Sequence, residues 1–298
     1  MKRFIETFQN IWKIEELKQR ILTTLGLILI YRLGSYVVLP GINTEVLAAA
    51  NANSANDGGI IALINAFAGG AFSRASIFGL GIMPYITASI IIQLLGMAVP
   101  YFQKMQKEGE SGRKKINQYT RFLTVAVTAV QAPGYLAAQV YTKPGVVGID
   151  PTWFGIQSTL ILVAGTMFIM WLGERITDKG IGNGISILIM IGIISRLPFA
   201  ITSEFGSRLQ SAGGGLIMFL LEIVFLLFII VSCILLVQGT RRIPVQYAKK
   251  IVGNQQIGGV RQYLPLKVNA AGVMPIIFAQ AIMFIPAAIS GFSGGTGG

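Results

Sequence analysis

Long uncharged apolar stretches alternate with short polar segments along most of the chain. One of them, residues 75–100, carries no charge and is long enough to cross a bilayer as a helix, which needs about 20 apolar residues. Other long apolar stretches, three of which contain a single charged residue, occupy residues 21–39, 122–141, 153–173, 184–200, 215–237 and 268–289. The pattern predicts an all-α membrane protein with seven crossings.

A shorter apolar segment, residues 58–72, comes just before the crossing at 75–100. A helix of that length reaches only about 20 Å at ~1.5 Å per residue, which is less than the ~30 Å hydrocarbon core of a bilayer. We therefore expect this segment to enter the membrane and turn back. The predicted fold class is a polytopic membrane helix bundle with a re-entrant half-helix.

Composition supports a membrane protein. Hydrophobic residues make up 53% of the chain and charged residues 12%, whereas soluble domains contain about 25% charged residues. The net charge of +12 would favour nucleic-acid binding in a soluble protein. Here most lysines and arginines lie in loops on the same side as the amino terminus, and the positive-inside rule then predicts a cytoplasmic amino terminus.

Catalytic chemistry has no candidate residues. The chain has no histidine, and its single cysteine, Cys233, lies in an apolar run where packing is its expected role. No carboxylate pair, Ser/Lys dyad or metal-ligand cluster occurs at a useful spacing. The glycine-rich run 180–184 follows an apolar helix instead of a strand, so it predicts a tight turn instead of a nucleotide site. We expect neither an enzyme nor a cofactor or metal site.

Two polar segments carry further information. Residues 1–20 place aromatic and apolar side chains at helical spacing among cations, which predicts an amphipathic helix on the inner membrane surface. Residues 242–249, within the longest hydrophilic loop, alternate polar and apolar positions like a hairpin strand. Two roles are open for this basic loop. It either retains charge on the cytoplasmic side, or binds phosphate backbones or acidic protein surfaces.

Residues 67–93, FAGGAFSRASIFGLGIMPYITASIIIQ, resemble the plug half-helix and second helix of the SecY family of bacterial protein-translocation channels. Four shorter runs also match the family: KEGESGR at 107–113, GIGNGIS at 180–186, RRIPVQYAK at 241–249 and LPLKVN at 264–269. The resemblance covers the whole chain. The family has ten spanning helices, so the seven crossings correspond to its first seven.

The resemblance implies a passive channel. Unfolded secretory polypeptides would cross the bacterial inner membrane through it, and apolar segments would leave sideways into lipid. It implies three regions: a cytoplasmic amphipathic helix at 1–20, a first helix set at 21–204 with the plug at 58–74, and an incomplete second set at 205–298. The implied partners are the SecE and SecG subunits, the SecA motor ATPase, the ribosome, the nascent polypeptide and membrane lipid. DNA is not among them.

The resemblance also assigns roles to individual residues. It implies a pore ring of Ile86, Ile90, Ile185, Ile189 and Ile277. It implies plug side chains at Ile60, Ile61, Leu63, Ile64, Phe67 and Phe72. Docking of the ribosome and motor is implied at Arg175, Lys179, Arg241, Arg242, Lys249 and Lys250. Spacing alone would instead place the isoleucines in an ordinary packed core.

Other interpretations stay open at this stage. A secondary transporter also uses broken helices and re-entrant segments, but it should place polar or ionisable ligands at mid-membrane. A scaffold for other membrane proteins would show no permeation defect on pore mutation. Arg32 and Glu222, the two charges deepest in apolar runs, either pair with each other or face water separately.

Overall fold

The computed structural model describes residues 12–53, 65, 68–148, 150–210, 215–246, 250–252, 255–257 and 261–269. These residues belong to two compact units that divide after Pro198. The first unit is helical. The second combines helices with antiparallel strands.

Seven helices form within the first unit. They are α1 (Glu15–Gly34), α2 (Thr44–Asn53), α3 (Met83–Ala98), α4 (Pro100–Lys107), α5 (Glu110–Leu136), α6 (Pro151–Lys179) and α7 (Gly184–Ile194). A π-helical turn, Ala137–Tyr141, extends α5. The next helix, α8 (Leu197–Gln210), begins at the boundary between the units.

Four helical segments of the described chain are long and apolar enough to cross a membrane: Glu110–Tyr141, Pro151–Lys179, Gly184–Leu209 and Gly215–Gln238. The pair α3 and α4 meets the same criteria jointly but bends by 100° between them. Helix α1 covers most of the crossing expected at 21–39, but it also includes Glu15, Glu16, Lys18, Arg20 and Arg32. The crossing expected at 268–289 lies almost entirely outside the described residues.

The crossing expected at 75–100 is helical over only part of its length. Residues 75–82 form turns, and α3 begins at Met83 with a proline in its first turn. Ala75 and Gly81 adopt positive φ angles of 47° and 57°, which a right-handed helix does not allow. The prediction of one continuous helix is therefore wrong at its amino-terminal end.

Two segments between the predicted apolar stretches are helical. Residues 104–121 belong to α4 and the start of α5, and lysines 114 and 115 form ion pairs with Glu110 and Glu108 at 3.1 Å and 3.6 Å. Charged residues spaced for such pairs stabilise a solvated helix. Residues 44–53, between the first predicted crossing and the predicted re-entrant segment, form α2.

Helix α5 is the centre of the first unit, where it packs against α3 and α6. Thr120, Thr124, Thr128 and Ala132 form a buried stripe of small residues along it. Each threonine hydroxyl donates to the carbonyl four residues earlier, at 2.9, 2.7 and 2.6 Å, so these buried polar groups are satisfied. Small residues of this kind allow helices to approach closely in a membrane.

The second unit contains α8, α9 (Gly215–Gln238) and two strand pairs. Strand β1 (Thr240–Gln246) pairs antiparallel with β4 (Arg261–Lys267), and β2 (Lys250–Val252) pairs with β3 (Gln255–Ile257). The structure thus places a strand at the start of the segment that was predicted to form one, residues 242–249. The side chains of α9 are mostly apolar and exposed.

Arg208 joins α8 to α9. Its guanidinium donates to Glu204 at 2.8 Å and to Glu222 at 2.6 Å, and the rings of Phe205 and Phe219 meet edge to face at 5.3 Å. Glu222 thus binds a cation of the neighbouring helix in its own unit, and its pairing with Arg32 stays a prediction. An ion pair within apolar segments lowers the cost of keeping both charges there.

Candidate functional site

Ile86 and Ile90 lie one helical turn apart on α3. Ile90 is 7% exposed and Ile86 is half-buried. Pro84 starts the helix without losing a hydrogen bond, because the first amide groups of a helix have no partner within it. The amide of Ile86 then donates to the carbonyl of Ile82 at 3.1 Å. The two isoleucines therefore share one face of a helix with no charged side chain.

Ile185 and Ile189 occupy the same positions relative to each other on α7, and both are half-buried. Asn183 caps this helix, since its side-chain oxygen accepts from the amides of residues 185 and 186 at 3.1 and 3.3 Å. Ile185 packs on α6, where its Cγ1 lies 3.1 Å from the position that a Cβ on Gly173 would take.

Helix α6 contacts both α3 and α7, so the two helices that carry the isoleucine pairs pack against one common helix. The contact of Ile185 with Gly173 is a helix-packing contact, which is compatible with either a core or a ring role. Ile277, the fifth predicted member, lies outside the described residues. The ring assignment stays a prediction.

The end of the predicted plug is firmly anchored. Phe72 is 5% exposed, and its ring meets that of Tyr135 edge to face at 4.7 Å. The Tyr135 hydroxyl donates to the Phe72 carbonyl at 2.8 Å. Asn65 accepts from the amides of Gly70 and Ser73 at 3.0 and 3.2 Å. Five predicted plug residues lie outside the described part of the chain: Ile60, Ile61, Leu63, Ile64 and Phe67.

Arg74 holds a tight turn at Gly69 and Gly70. Its Nη2 donates to the Gly69 carbonyl at 2.9 Å and its Nε to the Gly70 carbonyl at 3.1 Å. Both glycines have positive φ angles, 60° and 84°. Sequence reasoning missed Arg74 as a structural residue, although an arginine four residues after a Gly-Gly pair was a usable signal.

The loop between α6 and α7 carries the predicted docking residues Arg175 and Lys179 at its edge. The Arg175 guanidinium carbon lies 5.5 Å from the centre of the Trp171 ring, a cation–π contact that orients the side chain. Lys179 is the last residue of α6 and is exposed.

Thr24 of α1 holds this loop in place. Its hydroxyl accepts from the amide of Ile181 at 3.2 Å, and Arg20 Nη1 is 3.5 Å from the Gly180 carbonyl oxygen. Thr177 accepts from the amide of Gly184 at 2.9 Å. The predicted tight connection is therefore held in one shape by side chains of two helices.

The other predicted docking residues lie in the second unit. Arg241 and Arg242 are exposed on β1. Lys250 begins β2, and Lys249 lies outside the described residues. Within the described part of the chain, no group of His, Cys, Asp or Glu residues could hold a metal ion.

Comparison with known proteins places these features in a family. A family model described as SecY matches residues 76–296. The chain is 41% identical to the protein translocase subunit SecY of Streptomyces scabiei, with 99% of this chain and 69% of the relative aligned. It is 47% identical to the SecY subunit of Escherichia coli K12, with 95% of this chain and 64% of the relative aligned.

Solved structures agree on the fold. A protein-conducting channel superposes with a TM-score of 0.64 at 19% identity, covering 92% of this chain and 59% of that channel. Sec61 in a canine ribosome–channel complex gives a TM-score of 0.62 at 19% identity, covering 92% and 60%. The predicted all-α membrane fold is confirmed. The chain spans about two thirds of the length of the curated relatives and three fifths of the length of the solved channels.

Proposed function

Because this chain belongs to the SecY family of protein translocase subunits, we propose that it forms most of a passive channel for unfolded secretory polypeptides. The family consists of channel subunits and not of enzymes, and the chain is a membrane protein of the translocation channel. In the proposed mechanism, partners supply the energy, and apolar segments of the substrate leave the channel sideways into the bilayer.

The observation that carries this proposal is that the two helices with the isoleucine pairs, α3 and α7, both pack against α6. An aliphatic waist closes to ions because water does not persist between apolar walls. The same side chains yield to any passing peptide, because they make no directional bonds. Ile86, Ile90, Ile185, Ile189 and Ile277 are the proposed ring, with the plug 58–74 as a second barrier in front of it.

The proposed partners dock at the loop between α6 and α7 and at the strand pair β1–β4. The ribosome and the SecA motor would contact Arg175, Lys179, Arg241, Arg242, Lys249 and Lys250. Arginine and lysine side chains at a protein surface bind phosphate backbones and acidic protein surfaces. SecE and SecG are the proposed further subunits. The proposed location is the bacterial inner membrane with a cytoplasmic amino terminus, and the proposed helix sets cover residues 21–204 and 205–298.

Crosslinking a stalled secretory chain to this protein tests the proposal. A photoreactive residue at position 86 is compared with one at Met97, which lies on the same helix but is 68% exposed. We expect the stalled chain to crosslink at position 86 and not at position 97. Equal yields at both positions, or none at position 86 while translocation continues, would overturn the pore assignment.

A secondary transporter is the rival function. It would bind a small solute through polar groups at mid-membrane, and no stalled polypeptide would then reach position 86. The same crosslinking experiment separates the two functions.

A further inference from the structure

Three arginines surround the turn at Gly69 and Gly70. A Cβ built on Gly70 would lie 2.8 Å from Nη2 of Arg196 and 2.9 Å from Nη2 of Arg74. A Cβ built on Gly69 would lie 3.2 Å from Nη1 of Arg32. The chain thus brings together guanidinium groups from α1, from the end of the predicted plug, and from the turn between α7 and α8.

These cations have no acidic partner among the residues that the structure describes. The ion pairs found there all involve other lysines and arginines. Nη1 of Arg32 is buried and makes no hydrogen bond. Like charges held this close repel each other, and a buried charged N–H without an acceptor is costly. An anion placed between them would relieve both effects.

The geometry favours an oxyanion with several oxygens. Arg74 already uses Nε and Nη2 on the carbonyls of the turn, whereas Arg196 is exposed and Arg32 has a free buried N–H. Arginine presents planar N–H donors that match two oxygens of a phosphate at once. A phosphate group can therefore accept from two or three of these side chains.

The surroundings point to a lipid as the source of the phosphate. The cluster lies where α1 ends, beside the exposed side chains of Leu33, Tyr36 and Val37, which are 62%, 57% and 51% exposed. Tyr36 lies under two of the cations, with its ring centre 4.2 Å from Cζ of Arg74 and 5.4 Å from Cζ of Arg32. Apolar and aromatic side chains next to arginines at a helix end are typical of the membrane interface.

We propose that Arg32, Arg74 and Arg196 bind the phosphate group of an anionic membrane lipid, with the acyl chains lying along Leu33 and Val37. The bound phosphate would join α1, the turn before α3 and the turn after α7. This site does not depend on the translocation function proposed above. Refuting the lipid site would therefore not refute the proposed channel function, and the reverse also holds.

Native mass spectrometry of the chain, purified with its co-purifying subunits, tests the site. The probe is phosphatidylglycerol titrated against zwitterionic phosphatidylcholine. Arg32→Gln and Arg196→Gln are the test variants, because neither side chain supports the turn as Arg74 does. Arg113→Gln, which removes one exposed cation of α5, is the matched control for net charge. We expect each test variant to weaken phosphatidylglycerol binding about tenfold and the control to leave it unchanged.

Further arms identify the ligand and guard against misfolding. Arg196→Lys should keep part of the affinity, since it retains the charge but loses the planar fork. Thermal stability is measured for every variant, and Arg196→Lys replaces Arg196→Gln if the latter does not fold. Displacement of the lipid by millimolar inorganic phosphate would support the oxyanion site and assign it to free phosphate.

Equal phosphatidylglycerol retention in all variants would overturn the proposal.

Discussion

The hydroxyl of Tyr135 donates a 2.8 Å hydrogen bond to the carbonyl of Phe72, and the two rings meet edge to face. Tyr135 lies near the end of α5, and Phe72 is the last residue of the predicted re-entrant segment 58–72. A single side chain of the bundle therefore anchors the end of the predicted plug. Both residues are buried, so water cannot replace the bond.

Replacing Tyr135 with Phe should loosen this anchor. The buried Phe72 carbonyl would lose its hydroxyl donor, which costs about 1–3 kcal/mol. If the segment seals the channel, ion conductance at rest should rise in planar bilayers. Tyr141→Phe is the matched control, because that hydroxyl also donates to a carbonyl at 2.8 Å, that of Pro151, but at an exposed position. A rise in conductance in both variants would show that the effect is not specific to the plug.

Shortening Ile90 to Ala should separate a ring role from a packing role. Ile90 and Ile92 lie on α3 and are 7% and 5% exposed, so Ile→Ala at either should cost about 2–5 kcal/mol. Only Ile90→Ala should raise the ion conductance per folded complex, because only Ile90 is a predicted ring member. If both variants lose the same stability and neither changes the conductance, Ile90 is a core residue and not a ring member.

Within the same ring, Ile86→Asn should favour the open channel. A polar side chain on the half-buried face would hold water in the constriction. Substrates with weakened signal sequences should then be exported more efficiently. Ser89→Asn adds the same side chain to the same helix outside the predicted ring and serves as control. Export of weak-signal substrates at the wild-type level in the Ile86 variant would contradict the prediction.

Thr24→Val should weaken docking without touching a docking residue. The hydroxyl that accepts from the Ile181 amide would be lost, and the loop beside Lys179 would no longer be held in one shape. We expect lower affinity for the ribosome or motor, measured by cosedimentation. Thr23→Val is the control, since the Thr23 hydroxyl bonds only within α1, to the carbonyl of Gln19 at 2.8 Å. Unchanged binding in both variants would show that the loop is not part of the docking surface.

A double-mutant cycle tests the Arg208–Glu222 pair. Arg208→Gln alone should destabilise the protein more than Arg208→Gln combined with Glu222→Gln, because the single change leaves a carboxylate in an apolar segment without its cation. Thermal unfolding in detergent provides the measurement. Additive losses would show that the two side chains do not depend on each other.

Composition and local pattern were sufficient for the membrane class and for several elements. Long apolar runs form helices in lipid because every backbone group must bond within its own segment, and this holds for α6 and α9 without reference to the rest of the chain. The alternation in residues 242–249 likewise predicted a strand, and β1 includes the first five of them. The glycine-rich run 180–184 also predicted a tight turn, and within it Asn183 caps α7.

Other features of the structure depend on contacts between segments that are distant in the sequence. Residues 75–82 are as apolar as the helix that follows, but distant segments hold them in turns: the Ile77 amide donates to the Val37 carbonyl at 2.9 Å, and the Ile77 carbonyl lies against Gly165 of α6. Glu222 accepts a hydrogen bond from Arg208 because α8 packs beside α9. Arg32, Arg74 and Arg196 form a cluster although they lie far apart in the sequence. Residue spacing does not predict such contacts, because they depend on how the helices pack.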